Sequence, residues 1–133
     1  MSVIWRWIAR ILDIRWKQRR TAEVLRVIRS VYPNQPYVLY GRWSWTDREN
    51  PIQVDILFPY IPVAVQILSW YDVDRRTCQL FCGDYEDRVR RLNRLVNRAL
   101  AINLPFVQVR PDETPDEEWV RRKIPSGELV SIS

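Results

Sequence analysis

Apolar residues recur at helical spacing through the opening SVIWRWIARILDIRWKQRR, where Ile4, Ile8, Ile11 and Leu12 form a stripe that Trp5 and Trp16 broaden. A second helix is expected from Thr21, a capping residue type, through Ser30. Val24, Leu25, Val27, Ile28 and Val31 form its apolar side, and Glu23 stands in its dipole-favoured first turn. Pro33 and Pro36 stop it. The period then changes to two: 37–40 reads as a strand, the polar stretch 44–51 as a hairpin loop, and 52–58 as a second strand. That second strand carries Ile52, Val54, Ile56 and Phe58 on one face and Gln53, Asp55 and Leu57 on the other. After the turn Pro59-Tyr60-Ile61-Pro62, residues 63–68 are apolar except for Gln66, the pattern of a central strand covered on both faces.

Residues 69–83 show no clear period. Helical spacing returns from Asp84 through Ala101, apolar at Val89, Leu92, Leu95, Val96, Ala99 and Leu100. Arg88, Arg90, Arg91, Arg94 and Arg98 cover much of the remainder and read as a solvated face, with contact to a nucleic acid or to a protein partner as the alternatives. Residues 106–110 form a last strand, and the acidic, proline-containing stretch from Pro111 reads as a tail with one short helix near Trp119. A strand, crossover helix and strand following a hairpin predict an α/β fold with a mixed central sheet flanked by helices. The expected organisation is a basic amphipathic helix over 1–20, a core over 21–110 and a tail over 111–133.

Composition narrows the chemistry. With 47% hydrophobic residues, 28% charged and only three glycines in 133 residues, fibrous repeats and wholesale disorder are excluded. Histidine is absent, which removes imidazole metal ligands and every Ser-His or Cys-His nucleophile pair. Cys78 and Cys82, without other ligands nearby, read as free thiols. No apolar stretch approaches the roughly 18 residues needed to span a bilayer, and no signal-peptide core is visible. An intracellular, reducing, cytoplasmic setting is therefore expected.

Charge is concentrated at the start. Residues 1–20 hold six of the 21 basic residues and one of the 16 acidic ones, so the rest of the chain is formally neutral. Three readings fit this stripe: packing on the domain or a partner, contact with a nucleic-acid backbone, and adsorption to an anionic membrane surface. The nucleic-acid reading would use Arg6, Arg10, Lys17 and Arg19 on the stripe, with Arg75 and Arg76 as further phosphate clamps. Arg75 and Arg76 equally suit surface ion pairs with Asp72 and Asp74.

Asp55 and Gln66 stand on consecutive predicted strands, where a divalent cation could take the Asp55 carboxylate, the Gln66 amide oxygen and the Ile67 carbonyl. The same two residues equally suit polar groups satisfied at the end of a sheet.

The run from Glu23 through Arg110, with its QVDILF, VAVQIL and FVQV segments, resembles the restriction-endonuclease-like PD-(D/E)xK superfamily, particularly its small very-short-patch-repair-like branch. The resemblance covers about two thirds of the chain. It implies a nuclease-like fold and metal-dependent phosphodiester cleavage, commonly of DNA. By position, Asp55 matches the metal-binding aspartate, Gln66 takes the place of the second acid, and Glu23 resembles the helix-borne acid that completes such sites. Mg²⁺ or Mn²⁺ would be held by Asp55, Glu23, Gln66 and the Ile67 carbonyl. Leu68 falls where the superfamily keeps its lysine, which removes a cation that orients water, and Gln66 brings no charge to a metal. The expected function is accordingly nucleic-acid binding or processing by a nuclease-like fold, with weak or degenerate cleavage, or compensation by a displaced Arg75, Arg76 or Lys17. A non-catalytic protein assembling as a homo-oligomer and a peripheral membrane protein are the alternatives.

Overall fold

A computed structural model describes residues 3–40, 42–43, 52–61, 63–81, 83–101 and 104–124. Its first element is one uninterrupted helix, α1 (Val3–Val31), so the expected boundary at residues 20 and 21 runs through the middle of a helix. Thr21 does not cap. Its hydroxyl donates to the Lys17 carbonyl at 2.7 Å, one turn back, and the sequence from 3 to 31 holds no proline or glycine to break the ladder.

The strands are β1 (Val38–Leu39), β2 (Arg42–Trp43), β3 (Ile52–Gln53), β4 (Ile56–Phe58), β5 (Val63–Ile67) and β6 (Phe106–Val109). β1, β4, β5 and β6 lie side by side in that order, and β2 pairs with β3 in a separate ribbon. β4 and β5 are antiparallel, with Leu57 opposite Ala64, and β5 and β6 are parallel, with Gln66 opposite Gln108. The sheet is therefore mixed, as the alternation of strand and helix predicts. The hairpin loop expected over 44–51 lies outside the described residues, as does Cys82.

The expected single strand over 52–58 is broken at Val54 and Asp55. Ile56 and Phe58 join the core on one face of the sheet, whereas Val54 packs with Leu57 and Ala64 on the other. The ladder gives out here because the Ile67 N–H, just beyond the last β4–β5 pair, donates to the Asp55 side chain at 2.7 Å in place of a backbone carbonyl.

β5 has helices on both sides. Val63, Val65 and Ile67 face Val24, Leu25 and Ile28 of α1 and Trp119 and Val120 of α5 (Glu117–Lys123). Ala64 faces Leu95 and Ala99 of α4 (Tyr85–Ala101). The unpatterned stretch 69–83 is two short helices, α2 (Trp70–Val73) and α3 (Arg75–Phe81). Gly83, at φ +101°, reverses the chain after α3 with its N–H on the Cys78 carbonyl at 3.0 Å, a conformation that a side chain would strain. Asp84 then caps α4 by accepting the Asp87 N–H at 3.1 Å.

The C-terminal stretch carries the expected short helix near Trp119, α5, and is packed on the core as far as Ile124. Asp116 caps α5 by accepting the Trp119 N–H at 2.8 Å, and Trp119, Val120 and Ile124 are core residues. Arg20 of α1 ties it down further, with its guanidinium donating to the carbonyls of Arg110 and Glu113.

Candidate phosphate-binding cleft

Polar residues recur along α1 at 6, 10, 13, 17 and 20, three or four apart, and so share one side of the helix. Two of them meet α2 and α4. Lys17 Nζ lies 2.9 Å from Asp72 Oδ2 and 4.0 Å from Asp13 Oδ2, while Arg88 Nη1 lies 2.7 Å from Asp72 Oδ1 and 3.7 Å from Asp13 Oδ2. Asp72 also closes the first turn of α2, accepting from the Ser69 N–H at 2.8 Å and the Ser69 hydroxyl at 3.3 Å. Burial drives its carboxyl upward, but Lys17, the Ser69 N–H and Arg88 together outweigh this and hold it below the ordinary carboxylate value.

Beside this network opens a cavity of about 460 Å³ between α1 and α4. Five cations border it, Lys17, Arg88, Arg91, Arg94 and Arg98, against the two carboxylates of Asp13 and Asp72. Gln66 of β5 also lines it, its Oε1 accepting from Gln108 Nε2 at 3.3 Å. Four of the five α4 arginines thus border a cleft and do not form a featureless solvated face. Leu92 and Leu95 supply the apolar part of the same wall.

Asp55 sits at the end of β5 beyond Gln66. Its backbone is fixed on both sides, with its N–H on the Val65 carbonyl at 3.1 Å and its carbonyl accepting the Tyr40 N–H at 2.8 Å. Burial raises its carboxyl above the ordinary value of 3.8; the hydrogen bond from Ile67 and the charge of Lys17 pull it back only in part. Ionising Asp55 therefore costs stability as pH climbs from 3.8 through the raised value. Asp55→Asn, which can still accept the Ile67 N–H, should remove that loss: its thermal midpoint should stay flat over the window where the wild type declines. A parallel decline in both proteins would reject this account of Asp55.

The structure brings Asp55, Gln66 and Ile67 together and adds Lys17, whose charge reaches Asp55. It does not bring in Glu23. That residue lies six positions beyond Lys17, roughly 9 Å along the helix, and borders a different hollow with Arg26, Val27 and Pro115. Its carboxylate faces Arg20 at 3.8 Å. Leu68 is buried, as an apolar residue at the strand end should be. Arg75 pairs with Glu86 at 2.6 Å and lies over the Tyr85 ring, so its partner is on α4 and not Asp72 or Asp74. Arg76, Arg6, Arg10 and Arg19 are exposed.

As a divalent-cation site this donor set fits poorly. One carboxylate already accepts a backbone N–H, one neutral amide oxygen is already engaged by Gln108, and an ammonium stands in range. Among the described residues no group of three or more Asp, Glu, Cys or His side chains is gathered as a metal ion would require. The surplus of cations suits an anion, and planar guanidinium groups suit phosphate oxygens in particular. Asp13, Asp72 and Arg88 are the site residues that sequence reasoning passed over. The signal for them was the repeat of polar positions along α1 and the serine three residues before Asp72. Comparison with protein-family models, curated proteins and solved structures gives no match.

Proposed function

We propose that this chain binds a nucleic-acid backbone, DNA in the first instance, in the cleft between α1 and α4. The observation that carries the reading is the excess of five cations over two carboxylates around the cavity, where the carboxylates pair with Lys17 and Arg88 and Arg91 also reaches Asp87 of its own helix at 3.2 Å. Arg91, Arg94 and Arg98, three or four apart along α4, would meet successive phosphates on one wall. Arg6 and Arg10 lie on the same side of α1 as Lys17 and would extend the track toward the helix start. Arg19, two positions beyond Lys17, projects from another side and falls outside that track.

The resemblance to restriction-endonuclease-like proteins supports a nucleic-acid ligand, with Lys17 as the group replacing the lysine absent at position 68. It does not by itself supply cleavage. Neither Glu23 nor Gln66 delivers a second charge to a metal beside Asp55, so the reading is of binding, with Gln66 lining the cleft.

The test is fluorescence anisotropy of labelled duplex and single-stranded DNA across a salt series. Replacing Arg91, Arg94 and Arg98 together by glutamine should weaken binding by at least about tenfold and lower the slope of log affinity against log salt by about one for each phosphate no longer neutralised. Affinity and slope unchanged by the triple substitution would refute the cleft as the binding site.

A further inference from the structure

The opening turns of α1 are inside out. A helix lying on a protein surface normally turns its apolar side to the core. Here Asp13 and Lys17, from the polar stripe, are engaged by the body of the protein beside the buried Ala9, and a neighbouring side carries Ile4, Trp7, Ile11 and Ile14 at helical spacing. Ile4 is 68% exposed and Trp7 63%, Ile14 is exposed, and only Ile11 is half-buried. The apolar surface does not stop at the helix. Leu12 and Trp16 share a second cavity, of about 370 Å³, with Trp70 and Tyr71 of α2. Trp70 itself is half exposed. Exposed apolar side chains gathered in this way mark a contact with something other than water.

Charge decides what that something is. Arg15 and Arg19 are exposed and interleave with this surface. Asp13 is the only acidic residue before Glu23, and it is buried beside Lys17 and Arg88. A second copy would bring the same uncompensated arginines against themselves. The surface calls for an occupant that is apolar in depth and negative at its boundary, and a convex helix needs no preformed groove in a deformable bilayer. Tryptophans at the rim and arginines between them match the headgroup level. Among the described residues no helix is long and apolar enough to cross a membrane, so the helix would lie in the interface.

We propose that the outward side of α1, with Trp70 beside it, adsorbs to a membrane surface rich in anionic lipid. The proposal rests on a different strip of the helix from the cleft, one that adjoins the polar track at Ile14 and Trp7.

The test is cosedimentation of the full chain with vesicles of phosphatidylcholine alone or mixed with phosphatidylserine, beside sedimentation velocity without lipid. The wild type should pellet with the anionic vesicles, much less with the neutral ones, and be released by high salt. Ile4→Asp with Trp7→Asp should weaken this by at least about tenfold. Both sites are well exposed, and acidic residues near a helix start favour the helix, so the fold should survive. Arg15→Gln with Arg19→Gln should abolish the preference for anionic vesicles. Equal pelleting with both vesicle types, retention of binding by the aspartate variant, or retained preference in the glutamine variant overturns the proposal. So does a dimer in solution that the aspartate substitutions dissolve, which would make the surface a contact between copies.

Discussion

Asp72→Ala should lower the stability of the fold by about 3 kcal/mol, and the thermal midpoint by roughly 10 °C, the usual scale for removing one partner from a buried ionic network. Asp72 is 5% exposed and satisfies three elements at once. It neutralises Lys17 of α1, neutralises Arg88 of α4 and closes the first turn of α2 through Ser69. Alanine would leave Lys17 and Arg88 facing each other with Asp13 alone between them, at 4.0 and 3.7 Å. Asparagine keeps the shape and an acceptor for Ser69 but not the charge, so it should fall between alanine and the wild type. Urea unfolding of the three proteins checks the order. An alanine variant within about 0.5 kcal/mol of the wild type, the range of an ordinary surface substitution, would mean that the network contributes nothing.

The same residue sets the acid side of the stability curve. The folded carboxyl of Asp72 lies below 3.8, so its contribution is fully present above that value and is lost as pH falls through the folded one. Asp55 works in the opposite sense, because its folded carboxyl is raised and its cost appears as pH rises above 3.8. A carboxylate held in its charged form by two cations stabilises its surroundings. Asp55, buried beside the end of β5, instead costs stability once it ionises, because desolvation outweighs the hydrogen bond from Ile67 and the charge of Lys17.

Much of the architecture could be read from spacing. β5 and β6 were legible because Val63 to Ile67 form an apolar run interrupted only by Gln66, and the crossover through α4 follows from the switch between periods of two and 3.6. What spacing could not show was the crossing at Val54. The alternation runs unbroken from Ile52 to Phe58, yet a side-chain hydrogen bond from Ile67 to Asp55 ends the ladder and sends Val54 to the opposite face. Thr21 misled for a similar local reason: a residue type that favours caps is also tolerated in mid-helix when its hydroxyl can reach the carbonyl four residues back. The site was half legible. Asp55, Gln66 and Ile67 are neighbours because they lie on adjacent strands, a short-range inference. Lys17, Asp72 and Arg88 meet across three helices, and no one-dimensional pattern contains that meeting.

The stretch after Pro111 gives the other large effect. Its acidic residues and prolines suggested a tail, yet Trp119 is almost wholly buried and packs in the same cluster as Ile28, Val65 and Val109, joining α5 to α1 and the sheet. Its indole N–H donates to Glu113 Oε2 at 2.8 Å, while the Glu113 Oε1 accepts the Arg110 N–H at 3.0 Å, so one carboxylate ties the ring to the end of β6. Trp119→Ala would open a cavity in the main core and also strand Glu113, and should cost about 3 to 5 kcal/mol. Trp119→Phe keeps most of the volume and should cost less than half as much. Denaturant unfolding of both variants distinguishes a core helix from an appendage. If alanine at 119 leaves the unfolding midpoint where it is, α5 does not belong to the folding unit, and the core closes without it around α1 and the sheet.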